Sequence, residues 1–196
     1  AFQACALNHS AISPILNKFI LPKIKYINRF MNKFDFALIL TCTINPVNIP
    51  NLVRNDPNMR LEDYKKSFNF WANHPRVNKI IFIENSNFDI DYFKNFAKNK
   101  NKQIEFFSND LNNSFNKNLG KGFGQYLCFK EIFEKSSLVK ETDYFFNVTG
   151  RHIITNFDEI YNDMILKKND IYINLSDNLK FCNTTSFGAS KKFITD

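Results

Sequence analysis

Five short apolar runs alternate with segments of helical periodicity, and this alternation constrains the fold more than any other feature of the sequence. The runs cover 36–43, 77–84, 103–107, 143–149 and 171–175, and the helical segments cover 60–73, 89–98, 122–135 and 157–166. Short apolar runs are typical of strands buried on both faces, and strands that alternate with helices form a mainly parallel sheet. We therefore predict an α/β fold with a mainly parallel sheet flanked by helices.

The length of the chain indicates a single domain. Its 196 residues can bury one core but are too few for two ordinary domains. We predict that 34–196 form this domain and that 1–33 form a basic, amphipathic flank. The flank can lie on an anionic membrane surface, pack on the domain as a helical arm, or remain a partly ordered tail. The sequence contains no apolar run of about eighteen residues, so we expect no segment to span a bilayer.

Charge and cysteine usage exclude several classes of partner. The formal net charge of +7 favours anionic partners, but the lysines are scattered among asparagines, as AT-rich codon usage would also produce. They form no basic stripe interleaved with stacking aromatic residues, so we expect no nucleic-acid partner. The four cysteines form no C-x-x-C pair and have no histidines at metal-ligand spacing beside them. This pattern argues against a zinc site and predicts reduced thiols and a cytoplasmic location.

Polar residues close three of the predicted strands. They are Thr41 and Thr43 after the first strand, Glu84 and Asn85 after the second, and Thr149, Gly150, Arg151 and His152 after the fourth. Ligands of open α/β sheets bind just beyond the carboxyl ends of the strands. We therefore predict that the functional site lies at this edge of the sheet.

A glycine-rich segment precedes the helix predicted over 122–135. It reads Gly-Lys-Gly-Phe-Gly-Gln and contains Lys121, Gly122 and Gln125. Unpaired amides at a helix N-terminus favour an anion, so the segment is suited to a phosphate. Its spacing fits neither the dinucleotide-binding motif nor the P-loop. The alternative is a flexible junction between loop and helix.

Arg151 is the most informative single residue, because arginine is scarce in this lysine-rich chain. Its planar guanidinium can hold a diphosphate through two parallel hydrogen bonds, which lysine cannot do. Alternatively, Arg151 pairs with Asp143 or Asp158 and fixes the loop. The neighbouring His152 is either a general base or an ordinary loop residue.

An Asp-x-Asp sequence occurs at Asp89 and Asp91, a spacing that can chelate a divalent cation through a nucleotide diphosphate. It opens a helix after the second predicted strand, where Asp89 suits the N-cap and Asp91 the first turn. We interpret both residues as capping residues and predict no metal ligands.

The order of these pieces resembles the nucleotide-sugar-binding half of a GT-A glycosyltransferase, especially the short bacterial enzymes that assemble lipopolysaccharide or capsule. The matching segments are 38–46, 80–86, 112–133 and 142–151. The last of these normally delivers Asp-x-Asp, but here it ends in Thr-Gly-Arg. This ending resembles a group of surface-glycan transferases with a K-x-T-G-R-Y-like motif, in which Asn147 replaces the lysine and His152 replaces the tyrosine.

The resemblance implies a GT-A-like, Rossmann-like fold, a nucleotide-sugar donor and a glycan or glycolipid acceptor. The residues at the matching positions of the donor site are Thr41, Thr43, Glu84, Asn85, Lys121, Gly122, Gln125, Thr149, Gly150 and Arg151. The implied reaction displaces a nucleoside diphosphate from the anomeric carbon, with His152 or Asp177 as the catalytic base. Because no Asp-x-Asp stands at the matching position, manganese or magnesium is not firmly implied. Arg151, helped by Lys121, can stabilise the leaving group instead.

Two other functions remain open at the level of the sequence. A sugar nucleotidyltransferase would use a similar sheet and a Gly/Lys loop, although that loop should follow the first strand directly. A non-catalytic module would keep the fold and bind nucleotide sugars without turnover. The implied location is cytoplasmic, and the alternative is peripheral contact with the inner face of the membrane through the flank.

Overall fold

The computed structural model describes residues 34–47, 52–175 and 182–195. The flank predicted over 1–33 therefore lies outside the described residues, as does Asp177. All the strands and helices described below belong to one unit, Asp35–Asp196. None of the described helices combines the length and the apolar character that crossing a membrane requires.

Six strands form one sheet in the order β3-β2-β1-β4-β6-β5. Their bounds are β1 Phe36–Cys42, β2 Lys79–Glu84, β3 Gln103–Ser108, β4 Tyr144–Thr149, β5 Ile171–Leu175 and β6 Cys182–Ser190. The first four strands are mutually parallel, whereas β6 runs antiparallel to both of its neighbours. Thr41 pairs with Ile83 of β2 and with Thr149 of β4, so the carboxyl ends of these three strands lie level.

Helices cover both faces of the sheet. Their bounds are α1 Pro57–Asn73, α2 Asp91–Ala97, α3 Lys121–Lys135, α4 Ser137–Lys140, α5 Phe157–Lys167 and α6 Lys191–Thr195. On one face, aromatic rings of α1 and α2 pack on β2 through Phe68, Phe82 and Phe93. On the other face, Cys128 and Ile132 of α3 join a buried cluster with alternate residues of β1, β2 and β4. Side chains that alternate along each strand thus pack against the helices on opposite faces of the sheet.

The predicted fold class is confirmed, because the sheet is mainly parallel and lies between helices. The antiparallel strand β6 and the short helices α4 and α6 were not predicted. The interpretation of Asp89 as N-cap is wrong by one residue, because Ile90 occupies that position. Asp89 instead accepts a hydrogen bond from the amide of Asp91 at 2.9 Å, so its carboxylate serves the turn before the helix.

Candidate functional site

A cavity of about 260 Å³ lies beyond the carboxyl ends of β1, β2 and β4. The predicted site residues that line it are Thr41, Thr43, Asn85, Lys121, Gly122, Gln125, Thr149, Arg151 and His152. The parallel register brings the strand ends together, and the start of α3 closes the cavity from the other layer. Arg151 and Lys121, which are distant in sequence, therefore face the same space.

Glu84 is buried behind the cavity and does not line it. Its carboxylate accepts hydrogen bonds from the backbone amides of Ile44 (3.0 Å) and Phe88 (2.8 Å), and from both the amide and the hydroxyl of Ser86. Burial raises the pKa of Glu84, although these hydrogen bonds act in the opposite direction. Glu84 therefore joins the loops after β1 and β2 instead of reaching into the cavity.

Gly150 also lies outside the cavity lining, packed against β1 and α1. Its amide donates to the carbonyl of Thr41 at 2.8 Å. A Cβ at this position would lie 3.0 Å from that carbonyl oxygen and 3.3 Å from the Tyr64 ring. Glycine is needed here because the chain passes too close to β1 for a side chain, and this contact directs the next residue, Arg151, towards the cavity.

The turn after β4 is anchored to α1 through the backbone of His152. Its carbonyl accepts hydrogen bonds from the Ser67 hydroxyl (2.8 Å) and the Trp71 indole N–H (3.1 Å), and its amide donates to the carbonyl of Thr149 at 2.9 Å. Burial lowers the pKa of the His152 imidazole, and the positive charge of Arg151 lowers it further to a smaller extent. The side chain is therefore neutral at pH 7 and can accept a proton.

Arg151 makes no ion pair with any carboxylate among the described residues. Of the two predicted alternatives, Asp158 instead lies 3.5 Å from Arg76. Asp143 uses its carbonyl to accept a hydrogen bond from the Lys191 amide. The guanidinium of Arg151 is thus available to a ligand.

The first turn of α3 lies at the cavity, where Lys121 and Gly122 line it and no side chain caps the helix. Gly120 precedes the helix with a φ of 81° and has no side chain to cap the N–H groups that follow. A Cβ atom at Gly124 would lie 3.1 Å from the Phe115 ring. The loop that carries Phe115 therefore packs closely against the helix. The positive end of the helix dipole and the ammonium of Lys121 both favour an anion here.

Several lining residues were not among the individually predicted site residues, namely Leu52, Arg60, Tyr64, Asn112, Phe115, Gly124, Cys128, Thr184 and Thr185. Four of them, Asn112, Phe115, Gly124 and Cys128, lie within the matching segment 112–133. Arg60 and Tyr64 belong to α1, and their helical spacing gave no sign that they face a ligand. Thr184 belongs to β6, and its carbonyl accepts a hydrogen bond from Asn147, the residue at the lysine position of the resembled motif, at 3.3 Å. The only available signal was that Arg60 is an arginine in a lysine-rich chain.

The cavity lining is cationic. Among the described residues it contains Arg60, Lys121 and Arg151 but no aspartate or glutamate. Hard divalent cations bind through carboxylates and other oxygen ligands, and no described group of three His, Cys, Asp or Glu residues could hold a metal ion. The described side chains that line the cavity therefore do not fit manganese or magnesium as metal ligands. They fit a multiply charged anion.

The Cys128 thiol at the cavity wall is unreactive. Burial raises the pKa of Cys128 to about 12, and its sulfur accepts a hydrogen bond from the Asn85 side-chain amide at 3.3 Å. A protonated thiol is a poor nucleophile. Cys128 therefore acts as a small apolar wall residue.

No protein-family model and no curated protein sequence matches the chain. Three of the solved structures that are similar to the chain have low sequence identities and TM-scores below 0.5. The 4-diphosphocytidyl-2C-methyl-D-erythritol synthase from Anaerococcus prevotii has 14% identity and a TM-score of 0.47, with 85% of this chain and 74% of that chain covered. HddC from Yersinia pseudotuberculosis has 14% identity and a TM-score of 0.40, with 82% and 78% covered.

The third structure is a protein described as a nucleotide-diphospho-sugar transferase, from Desulfovibrio desulfuricans. It has 11% identity and a TM-score of 0.45. The similarity covers 80% of this chain and 64% of that chain. The present chain therefore matches less than two thirds of the Desulfovibrio protein.

Proposed function

We propose that the cavity binds the diphosphate of a nucleotide sugar and that the protein transfers the sugar to a hydroxyl group of a cell-surface glycan, such as lipopolysaccharide or capsule. The observation that carries this proposal is the convergence of Arg151, Lys121 and the start of α3 on a cavity whose described lining has no carboxylate. Cations, helix amides and hydroxyl groups together form a phosphate-binding environment. The strand-end residues Thr41, Thr43, Asn85 and Thr149 supply polar groups around it.

The proposed reaction uses the cationic groups and the imidazole of the cavity in two different roles. The acceptor hydroxyl attacks the anomeric carbon, and the bond between that carbon and the diphosphate oxygen breaks. Negative charge develops on the leaving nucleoside diphosphate, where Arg151 and Lys121 stabilise it. The acceptor's proton passes to the neutral imidazole of His152. Asp177 remains the second proposed base, outside the described residues.

A sugar nucleotidyltransferase is the second candidate, and the same cationic lining supports it. In that reaction a sugar phosphate attacks a nucleoside triphosphate, and pyrophosphate leaves with its charge stabilised by the same groups. The products differ: a glycosyltransferase releases a nucleoside diphosphate, whereas a nucleotidyltransferase releases pyrophosphate. A non-catalytic module would bind the donor and release neither.

Thermal unfolding with UDP-, GDP-, CMP- and dTDP-sugars tests the proposal. We expect one nucleotide sugar to raise the melting temperature, since ligands that bind only the folded state stabilise it. The increase in melting temperature should persist in EDTA, because arginine and lysine side chains of the cavity, and not a metal ion, neutralise the diphosphate. A shift that appears only with added manganese would contradict the role of Arg151 in place of a metal. Stabilisation by nucleoside triphosphates, with pyrophosphate release in the presence of a sugar phosphate, would favour the second candidate.

The role of His152 predicts a pH profile for transfer. Protonated His152 cannot accept a proton, so activity rises with pH as the imidazole loses its charge. Because its pKa lies below the ordinary value of 6.5, kcat/KM should be level near pH 7 and fall only in more acidic solution. His152→Gln should lower kcat by about a hundredfold and remove the acidic limb.

His74 provides a matched control for this profile. Its pKa is also lowered by burial, but it does not line the cavity. His74→Gln should keep both the rate and the acidic limb. An acidic limb that survives in His152→Gln would assign the proton transfer to another group.

A further inference from the structure

Arg60 has an unusual environment for a buried arginine. It lies in the first turn of α1, is 5% exposed and lines the cavity. Its Nε donates to the carbonyl of Thr43 (2.7 Å), its Nη1 to the carbonyl of Arg54 (3.0 Å) and its Nη2 to the hydroxyl of Tyr64 (3.0 Å). A guanidinium has five N–H groups, so these contacts leave one on each terminal nitrogen.

None of these acceptors balances the charge of Arg60. Two are carbonyl groups and one is a phenol, and no carboxylate among the described residues forms an ion pair with it. Nearby acids are already engaged. Asp63 pairs with Arg54, and Glu84 accepts from backbone amides. A buried charge is costly unless an opposite charge compensates it, and the cavity is where that compensation can come from.

Tyr64 connects Arg60 to the turn that carries Arg151. The Arg60 guanidinium carbon lies 5.6 Å from the centre of the Tyr64 ring. The same ring lies 3.3 Å from the Cβ position of Gly150, the residue before Arg151. Burial raises the pKa of Tyr64, and the charges of Arg60 and Arg151 both act against that rise. The phenol therefore stays neutral, and both arginines line the cavity close enough to Tyr64 for their charges to act on it.

We propose that Arg60 is a second ligand-binding arginine, which contacts one anionic group of the ligand while Arg151 contacts another. This inference rests on the proposed function and deepens it. Two guanidinium groups that line one cavity of about 260 Å³ favour a ligand with two neighbouring negative groups, so the cavity prefers a diphosphate to a monophosphate. Among nucleotide sugars, this preference favours nucleoside-diphosphate donors over CMP-linked donors.

Calorimetric titration with inorganic pyrophosphate and inorganic phosphate tests the inference. The wild-type protein should bind pyrophosphate about tenfold or more tightly than phosphate, because the second group gains charge-assisted hydrogen bonds. Arg60→Met, which keeps the length of the side chain and removes the charge, should reduce this ratio towards one. Arg60→Lys should give an intermediate ratio, because it keeps the charge and loses the planar fork.

The ratio separates binding from a structural role. If Arg60 only holds the loop after β1, Arg60→Met should weaken both anions equally, and that result would overturn the inference. A wild-type ratio near one would also overturn it. If Arg60→Met fails to fold, the same comparison is made with Arg60→Lys, whose ratio must then fall below that of the wild type.

The same titration distinguishes this inference from the proposed function. If Arg60→Met binds both anions as the wild type does while Arg151→Ala binds them more weakly, Arg60 has no contact with the ligand and the diphosphate site stands. If neither substitution changes binding of either anion, the cavity is not the diphosphate site and both proposals fail.

Discussion

Replacement of Arg151 by alanine should weaken nucleotide-sugar binding by at least about a hundredfold, or about 2.7 kcal/mol. Arg151 lines the cavity, and no described carboxylate competes for its guanidinium. Each hydrogen bond between charged groups contributes about 1.5–3 kcal/mol, and a diphosphate can accept two in parallel. Calorimetry with the donor identified by thermal unfolding measures the loss, and Arg151→Lys should recover only part of it.

Arg76 offers a matched control for Arg151→Ala. Its guanidinium pairs with Asp158 at 3.5 Å on the exposed surface and does not line the cavity. Arg76→Ala removes an equal charge, so it reports any general effect of net charge on donor binding. We expect it to leave affinity unchanged. Equal affinities for Arg151→Ala and the wild type would make Arg151 a structural residue.

Replacement of Glu84 by alanine should lower the free energy of unfolding by about 3 kcal/mol. The substitution leaves buried amides of Ile44 and Ser86 without their acceptor, and an unsatisfied buried donor costs about 1–3 kcal/mol. Urea denaturation followed by circular dichroism measures the change. Glu62→Ala is the control, because the exposed Glu62 carboxylate pairs with Lys65 three residues away, and it should change stability by less than about 0.5 kcal/mol.

The pH dependence of Glu84→Gln provides an independent measure of the buried charge. The pKa of Glu84 is raised in the folded protein, so the folded state holds the proton more tightly than the unfolded state. The stability that this carboxyl group contributes is therefore fully present below the ordinary pKa of 4.5. It is lost as the pH rises from that value through the raised pKa of the folded state. Over this pH interval, the free energy of unfolding of the wild type should fall relative to that of Glu84→Gln. A constant difference would indicate that burial does not perturb this carboxyl group.

The strand ends could be predicted from sequence because two independent regularities agree there. Each buried strand is a continuous apolar run, and polar residues follow where the run stops. Parallel strands then place those ends at one edge, which is why Thr41, Asn85 and Arg151 line the same cavity. Glu84 has the same position in the pattern but points into the protein. Sequence alone does not show which of two adjacent polar residues faces the ligand.

Strand β6 was not predicted because its sequence lacks the signal used for the other strands. It contains Cys, Asn, Thr and Ser over most of its length, and its exposed first half gives no apolar run. Its position depends on tertiary contacts instead. Gly188 lies against Phe146 and Tyr144, where a Cβ would come within 3.1 and 3.2 Å of the rings. Arg60 was missed for a related reason, since helical periodicity identifies a buried face without showing what covers it.

The two hydrogen bonds that Ser67 and Trp71 donate to the carbonyl of His152 have a consequence for binding kinetics. A carbonyl oxygen has two lone pairs, and α1 provides a partner for each of them. Loops that become ordered only when a ligand arrives lose conformational entropy and slow the association. These bonds hold the backbone after β4 in place, so binding of an anionic ligand should be limited by diffusion and electrostatic attraction, and its rate should fall as ionic strength increases.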